Sequence, residues 1–224
     1  MRFGTLLDLF KQDNWSNKLV GMITEMLELA SAMFQHASGV IVDGAENADP
    51  QRNIYDRDIR INKLERKIRR RVVSRLSIGN DSNDVPTALI FMNVVKDSER
   101  LGDYIKNLHE IADMMPDEPD RELYRKWLGD STATITELFT ATRDGFLQSD
   151  EALAGQVIKT AKQMGRELEA QIREITASDL ATRDAVCLVL VLRFYKRLVA
   201  HMSNIASTVI MPVDLIDFYD EPED

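Results

Sequence analysis

The length of its uninterrupted helical patterns limits the fold of this chain more than any other feature. Only 10 Gly and 6 Pro punctuate 224 residues. Apolar residues recur at three- and four-residue spacing, and alternating runs typical of strands are missing. The pattern predicts six long helices, at about residues 15–42, 51–78, 86–115, 121–148, 150–177 and 180–211. Helices of this length joined by short loops pack antiparallel, so the sequence predicts an all-α bundle.

Polar and Pro-containing breaks set the boundaries between the helices. The sharpest break is "PDEPD" at 116–120, near the middle of the chain. Ser16 and Ser149 are predicted N-caps of the first and fifth helices. We therefore predict one domain at 1–116, a second at 117–212, and an acidic tail at 213–224 that is loosely held.

The two halves of the chain resemble each other at a shift of 97 residues. The stretch "ERLGDYIKNL" at 99–108 then aligns with "KRLVAHMSNI" at 196–205, and Asn107 aligns with Asn204. A repeat of this length is too long for a solenoid unit. The alignment instead predicts a duplicated three-helix domain, that is, two tandem three-helix bundles.

Composition excludes several classes of protein. The chain has 28 basic and 37 acidic residues, a formal net charge of −9, so we expect no nucleic-acid partner. The single cysteine, Cys187, cannot form an internal disulfide, and no secretory signal is visible, so we expect a cytoplasmic protein. The longest apolar run, "AVCLVLVL", is too short for a membrane span of about 20 residues. No Gly-rich phosphate loop or catalytic motif is present, which argues against an enzyme.

Two acids four residues apart interrupt the otherwise core-like stretch "VVKDSERLGDYIKN" at 94–107. Glu99 and Asp103 lie within 40° of each other on a helix, and their seam continues an apolar stripe. Like charges there require a positive partner, either Lys96 and Arg100 or a metal ion. Carboxylate oxygens suit Mg²⁺, Mn²⁺ or iron. On spacing alone, a cation site and an arginine-paired surface face both stay open.

Three stretches resemble the PhoU family of phosphate-signalling regulators. "SERLGDYIKNL" resembles the family's "ERIGD…N" signature, and "DIRINKLE" at 58–65 resembles its "D..IN.LE" stretch. "RLVAHMSNIA" at 197–206 resembles a worn second copy that keeps the "H..NIA" residues. Two repeats of three helices are also the family architecture, so the resemblance covers nearly the whole chain.

The resemblance implies a non-enzymatic regulator that contacts the ATPase subunit of a phosphate importer and a membrane sensor kinase, or that accompanies a sodium–phosphate transporter. It also implies a divalent metal or iron on Glu99 and Asp103, with Asp58 as a helper ligand. In the second copy Lys196 and Ala200 replace the two acids. A lysine cannot help to hold a cation, so we expect metal in the first half alone or in a homodimer.

The second predicted helix is the basic element of the chain. Its basic residues are Arg52, Arg57, Arg60, Lys63, Arg66, Lys67, Arg69, Arg70, Arg71 and Arg75. They form either a solvated face or a docking face for an acidic partner or anionic lipid, which would place the protein at the inner face of the membrane. The alternatives to a regulator are a metal-dependent enzyme on a helical bundle and a structural or membrane-docking bundle.

Overall fold

Six long α helices account for most of the protein. The computed structural model describes residues 14–78 and 84–217, and these residues form no β strand. The helices are α1 (Asn14–Ser38), α2 (Asp56–Ile78), α3 (Asp84–Glu110), α4 (Arg121–Gln148), α5 (Glu151–Thr176) and α6 (Thr182–Ile210). The predicted all-α fold with six helices is confirmed.

The junction between α1 and α2 also ties the two halves together. A π-helical turn, Gly39–Asp43, extends α1 and ends at Gly44, whose φ of 68° favours glycine. The Arg121 guanidinium at the start of α4 packs against Gly44, where a Cβ would lie 2.9 Å from its Nε. It donates hydrogen bonds to the carbonyl oxygens of Val40 (3.0 Å) and Ile41 (2.7 Å). The second half thus caps carbonyl groups that the end of α1 leaves open.

Both predicted serine caps are wrong. Ser16 lies inside α1 and is buried. Ser149 instead ends α4 in the left-handed conformation, with φ of 55°. The next residue, Asp150, caps α5, because its carboxylate accepts a hydrogen bond from the Leu153 N–H at 3.0 Å. Ser and Asp both cap helices well. Because Ser149 ends α4, the capping role at the start of α5 falls to Asp150.

The two three-helix bundles, α1–α3 and α4–α6, lie side by side. Helix α1 packs against α4 and α3 packs against α6, so the apolar core runs without a break through both bundles. At its centre the Phe34 ring lies 5.5 Å from the rings of both Phe139 and Tyr195, measured between centroids. These three residues come from α1, α4 and α6. The domain boundaries at 116 and 212 stay predictions.

Contacts between α3 and α6 reflect the 97-residue repeat seen in the sequence. Asp97 contacts His201, with 2.6 Å between Oδ1 and Nδ1, and Tyr104 contacts Phe194, with ring centroids 6.1 Å apart. In the 97-residue repeat, Asp97 is equivalent to Phe194 and Tyr104 is equivalent to His201. The two contacts therefore join equivalent pairs of positions, with the roles of α3 and α6 exchanged. A duplicated three-helix unit produces this arrangement.

The first residues of the predicted acidic tail pack against the bundles. After a 3₁₀ turn, Val213–Leu215, the Ile216 side chain is only 3% exposed and joins the core. The Asp217 N–H donates to the Ser207 hydroxyl oxygen at 3.3 Å. The expectation of a loose tail is therefore wrong for 213–217, because Ile216 gains apolar burial. The rest of the tail, 218–224, lies outside the described residues.

Candidate functional site

The predicted site residues lie together where α2 packs on α3. Asp58 is buried on α2, and Glu99 and Asp103 are half-buried on α3. The glycine of the "ERLGD" stretch allows this close approach, because a Cβ on Gly102 would lie 3.0 Å from Ile61 Cδ1 and 3.7 Å from Asp58 Oδ1. With Glu65, which is also buried on α2, these acids form a row that we call the acidic seam: Asp58, Glu65, Glu99 and Asp103.

Each acid at the α3 side of the acidic seam contacts a basic residue of its own helix. Lys96 Nζ lies 2.6 Å from Glu99 Oε2, and Arg100 Nη1 lies 3.5 Å from Asp103 Oδ2. These are the two cations that the sequence offered as partners. The contacts provide the positive charge that a half-buried pair of carboxylates requires.

Lys106 joins the two sides of the acidic seam and was missed in the sequence. Its Nζ lies 3.3 Å from Asp58 Oδ2 and 3.5 Å from Asp103 Oδ1. Burial alone would lower the pKa of Lys106, but the neighbouring carboxylates of Asp58 and Asp103 outweigh it and leave that pKa raised. Glu65 completes the seam through an ion pair with Arg69 at 2.7 Å.

As placed, the carboxylates of the acidic seam form ion pairs with basic side chains of the protein. Among residues 14–78 and 84–217, no three or more His, Cys, Asp or Glu side chains are arranged to hold a metal ion. The ammonium groups of Lys96 and Lys106 stand beside the carboxylate oxygens that a metal would need. A metal ion would have to displace both lysines. The assignment of Glu99, Asp103 and Asp58 as metal ligands stays a prediction.

In the second half the charges at the equivalent position are reversed. Lys196, which aligns with Glu99, lies on α6 with its Nζ 2.6 Å from Glu169 Oε2 on α5. Arg193 adds a second cation 3.8 Å from the same oxygen. The hydrogen bond from Lys196 lowers the pKa of Glu169. Here α6 presents the cation and α5 the acid.

A buried polar group between α3 and α6 was missed in the sequence. Asp97 is 7% exposed, and its Oδ1 lies 2.6 Å from His201 Nδ1 and 3.5 Å from Asn204 Nδ2. Burial, and then the Asp97 charge, raise the pKa of Asp217 beside this group. The sequence indicates His201 and Asn204 only as residues of the second copy that match the family pattern. Their shared partner on the other half explains why both are polar in a buried interface.

Fold and site together define a class of protein: an all-helical protein of two tandem three-helix bundles, with a charge-paired acidic seam in the first. Comparison with known proteins shows which family this part of the chain resembles. Residues 23–112 match the family model of the PhoU domain. None of the described helices has the length and hydropathy to cross a bilayer.

Two curated relatives and one solved structure show how far the similarity extends. A phosphate-specific transport system accessory protein PhoU homolog 1 of Thermotoga maritima is 35% identical over 91 residues, 38% of each chain. A PhoU homolog of the same system in Aquifex aeolicus is 25% identical over 157 residues, 68% of this chain and 71% of the relative. The crystal structure of PhoU from Pseudomonas aeruginosa superposes with a TM-score of 0.78 at 21% identity, over 92% of this chain and 99% of that one.

The resemblance to the PhoU family is confirmed. Residues 23–112 match the PhoU domain model, and the chain shares the fold of PhoU over 92% of its length. The family match covers the bundle that contains Glu99 and Asp103, and the first relative is matched over only 38% of its length.

Proposed function

We propose that this chain is a non-enzymatic regulator of phosphate transport or phosphate signalling that acts by protein–protein contact. The observation that carries the proposal is the PhoU domain at 23–112, shared with relatives named as accessory proteins of the phosphate-specific transport system. Its partners would be the ATPase subunit of a phosphate importer or a sodium–phosphate transporter, together with a sensor kinase. It would act in the cytoplasm, at the inner face of the membrane.

Exposed apolar side chains near the end of the first bundle support a role in contact. Val73 and Ile78 on α2 are 61% and 84% exposed, and Val85 and Leu89 at the start of α3 are also exposed. Exposed apolar groups that lie near one another on a protein surface are typical of interaction sites. Basic residues of α2 flank this group and would favour an acidic partner.

The test uses phosphate uptake in the host cell. A strain that lacks this chain should show altered phosphate uptake or phosphate-starvation signalling, and the wild-type chain should restore it. Val73→Glu with Leu89→Glu should fail to restore it and should lose crosslinks to the transporter. Leu147→Glu with Val186→Glu, which changes two exposed apolar residues of the second bundle, is the matched control. Unchanged uptake and signalling in the deletion strain would refute the proposal.

We also propose that a divalent metal or iron binds Glu99 and Asp103, with Asp58 as helper, in a state in which Lys96 and Lys106 have moved away. Carboxylates on facing helices supply oxygen donors that these ions accept. Elemental analysis of the purified protein should find metal that Glu99→Gln with Asp103→Asn removes. Metal absent from wild type after reconstitution would leave the acidic seam as a set of ion pairs.

The control for that experiment is Glu110→Gln with Asp113→Asn, which neutralises two acids beyond the seam at the end of α3. It should retain the metal, and thermal unfolding should show that every variant is folded. We propose a homodimer as the assembly, which sedimentation velocity tests directly. A monomer at all concentrations would refute it.

A further inference from the structure

A basic pocket lies outside the acidic seam, where the last turns of α2 meet the start of α1. It has a volume of about 260 Å³. Four of its lining side chains are cations, and no described lining residue is acidic. We define the basic pocket by its lining residues, Trp15, Lys67, Arg70, Arg71, Ser74 and Arg75.

Among the described residues, most of the positive charge of the basic pocket has no acidic partner. Elsewhere on α2, Arg60 pairs with Glu25 and Arg69 pairs with Glu65, each at 2.7 Å. Within the described residues, by contrast, no ion pair involves the three exposed cations of the pocket. These cations are Lys67, Arg70 and Arg71.

The spacing of these cations makes the imbalance costly. Arg70 and Arg71 follow Lys67 by three and four residues, and Arg75 follows Arg71 by four. Like charges at these spacings on a helix repel one another. A chain with a net charge of −9 nevertheless keeps four cations around one cavity. An anionic ligand would relieve this repulsion.

Arg75 and Trp15 form a wall of the basic pocket that is held in place by neighbouring side chains. Arg75 Nε lies 2.7 Å from Asp84 Oδ2, and its guanidinium lies 5.5 Å above the Trp15 ring. The rings of Trp15 and Phe91 pack edge to face, with centroids 6.0 Å apart. The indole Nε1–H of Trp15 is buried, and the described part of the chain provides no hydrogen-bond acceptor for it. A buried donor without a partner is unfavourable in a protein interior.

We propose that the basic pocket binds a small phosphate-bearing anion that carries two or more negative charges. Guanidinium groups present paired N–H donors that match phosphate oxygens, and lysine adds a point charge. The cavity admits a small group, and the net negative charge of the chain disfavours long polyanions. The phosphate could be a free anion or a phosphorylated lipid headgroup. The pocket lies outside the acidic seam, and anion binding is measured on the purified protein without a transporter, so this proposal and the earlier one can fail separately.

Trp15 itself reports on binding. The chain has 2 tryptophans, so Trp127→Phe leaves Trp15 as the only indole emitter. Titration with sodium tripolyphosphate at constant ionic strength should give a saturable change in emission. In the same background, Lys67→Gln with Arg71→Gln should raise the Kd at least tenfold. Isothermal titration calorimetry of wild type covers the case in which binding leaves the emission unchanged.

The matched control is Arg52→Gln with Lys63→Gln. Both residues are exposed and lie outside the pocket, Arg52 just before α2 and Lys63 in its first half, and the two changes remove the same charge. The control Kd should stay within twofold of the parent, and circular dichroism should show all variants folded. An equal loss of affinity in both pairs would overturn the proposal, because attraction would then be a diffuse property of the basic helix.

Vesicles distinguish the two sources of phosphate. The protein is sedimented with phosphatidylcholine vesicles that contain phosphatidylinositol 4-phosphate. If the Lys67/Arg71 variant sediments less than the parent and the control variant does not, the pocket binds a lipid headgroup. Saturable tripolyphosphate binding without such sedimentation assigns it to a free anion. Absence of binding in fluorescence, calorimetry and sedimentation overturns the proposal.

Discussion

The contact between Asp97 and His201 offers a direct test of how the two bundles are held together. It joins α3 to α6 with 2.6 Å between Asp97 Oδ1 and His201 Nδ1. The side chains are 10% and 21% exposed, so water reaches this contact only partly. Replacing His201 with alanine would leave the Asp97 carboxylate with Asn204 at 3.5 Å as its remaining neighbour in this group.

The expected loss follows from the environment of the carboxylate. A hydrogen bond to a charged group contributes about 1.5–3 kcal/mol when it is protected from water. Because His201 is partly exposed, we expect His201→Ala to lower the free energy of unfolding by about 2 kcal/mol. For a protein of this size that corresponds to a fall in Tm of about 4–8 °C.

Urea unfolding followed by circular dichroism measures this loss, and a double-mutant cycle with Asp97→Ala isolates the pair. The His201 ring also packs on Tyr104, with centroids 5.4 Å apart, so His201→Phe serves as a control that keeps an aromatic ring without Nδ1. We expect a coupling energy of about 1–2 kcal/mol between Asp97 and His201. Additivity of the two single changes within about 0.5 kcal/mol would refute the reasoning.

Three further predictions test the tail, the core and a helix end. Burial, and then the neighbouring Asp97 charge, raise the pKa of Asp217, so its ionisation costs stability as the pH rises through that pKa. Asp217→Asn should raise the Tm at pH 7.5, and the gain that depends on pH should vanish below about pH 4, measured by calorimetry; a constant gain would contradict this. Phe34→Ala should lower the free energy of unfolding by about 3–5 kcal/mol, with coincident circular-dichroism and fluorescence transitions because the core is continuous. Separate transitions would show independent bundles. Ser149→Gly should raise the free energy of unfolding by about 0.5 kcal/mol, and with it the urea midpoint, because glycine adopts the left-handed φ of 55° without strain. A lower midpoint would contradict this.

The helices were predictable because their apolar period is long and rarely interrupted. All six appear within a few residues of their predicted positions. Their ends were less predictable. In the pair Ser149–Asp150 both residues cap helices well, and only the left-handed backbone of Ser149 assigns the capping role to Asp150. The π-helical turn at the end of α1 depends on Arg121, which lies about 80 residues away in sequence.

The candidate site was predictable where its partners are close in sequence. The contacts of Glu99 with Lys96 and of Asp103 with Arg100 lie within one helical turn, so spacing on α3 indicates them. Asp58 reached the site only through the family resemblance, because its contact with Lys106 spans 48 residues. The contact between Asp97 and His201 spans 104 residues, and nothing in the local pattern of either helix indicates it.

The two bundles carry opposite charges at equivalent positions of α3 and α6. Glu99 pairs with Lys96 on α3, whereas the equivalent Lys196 pairs with Glu169 on α5. Either sign of charge is tolerated, because a complementary side chain lies within reach and partly exposed ion pairs contribute little to stability. The shared apolar core provides the packing in both halves. Charge at this position is therefore free to change without loss of the fold, and the acidic seam of the first bundle is a row of carboxylates on which selection for a cation or a basic partner can act.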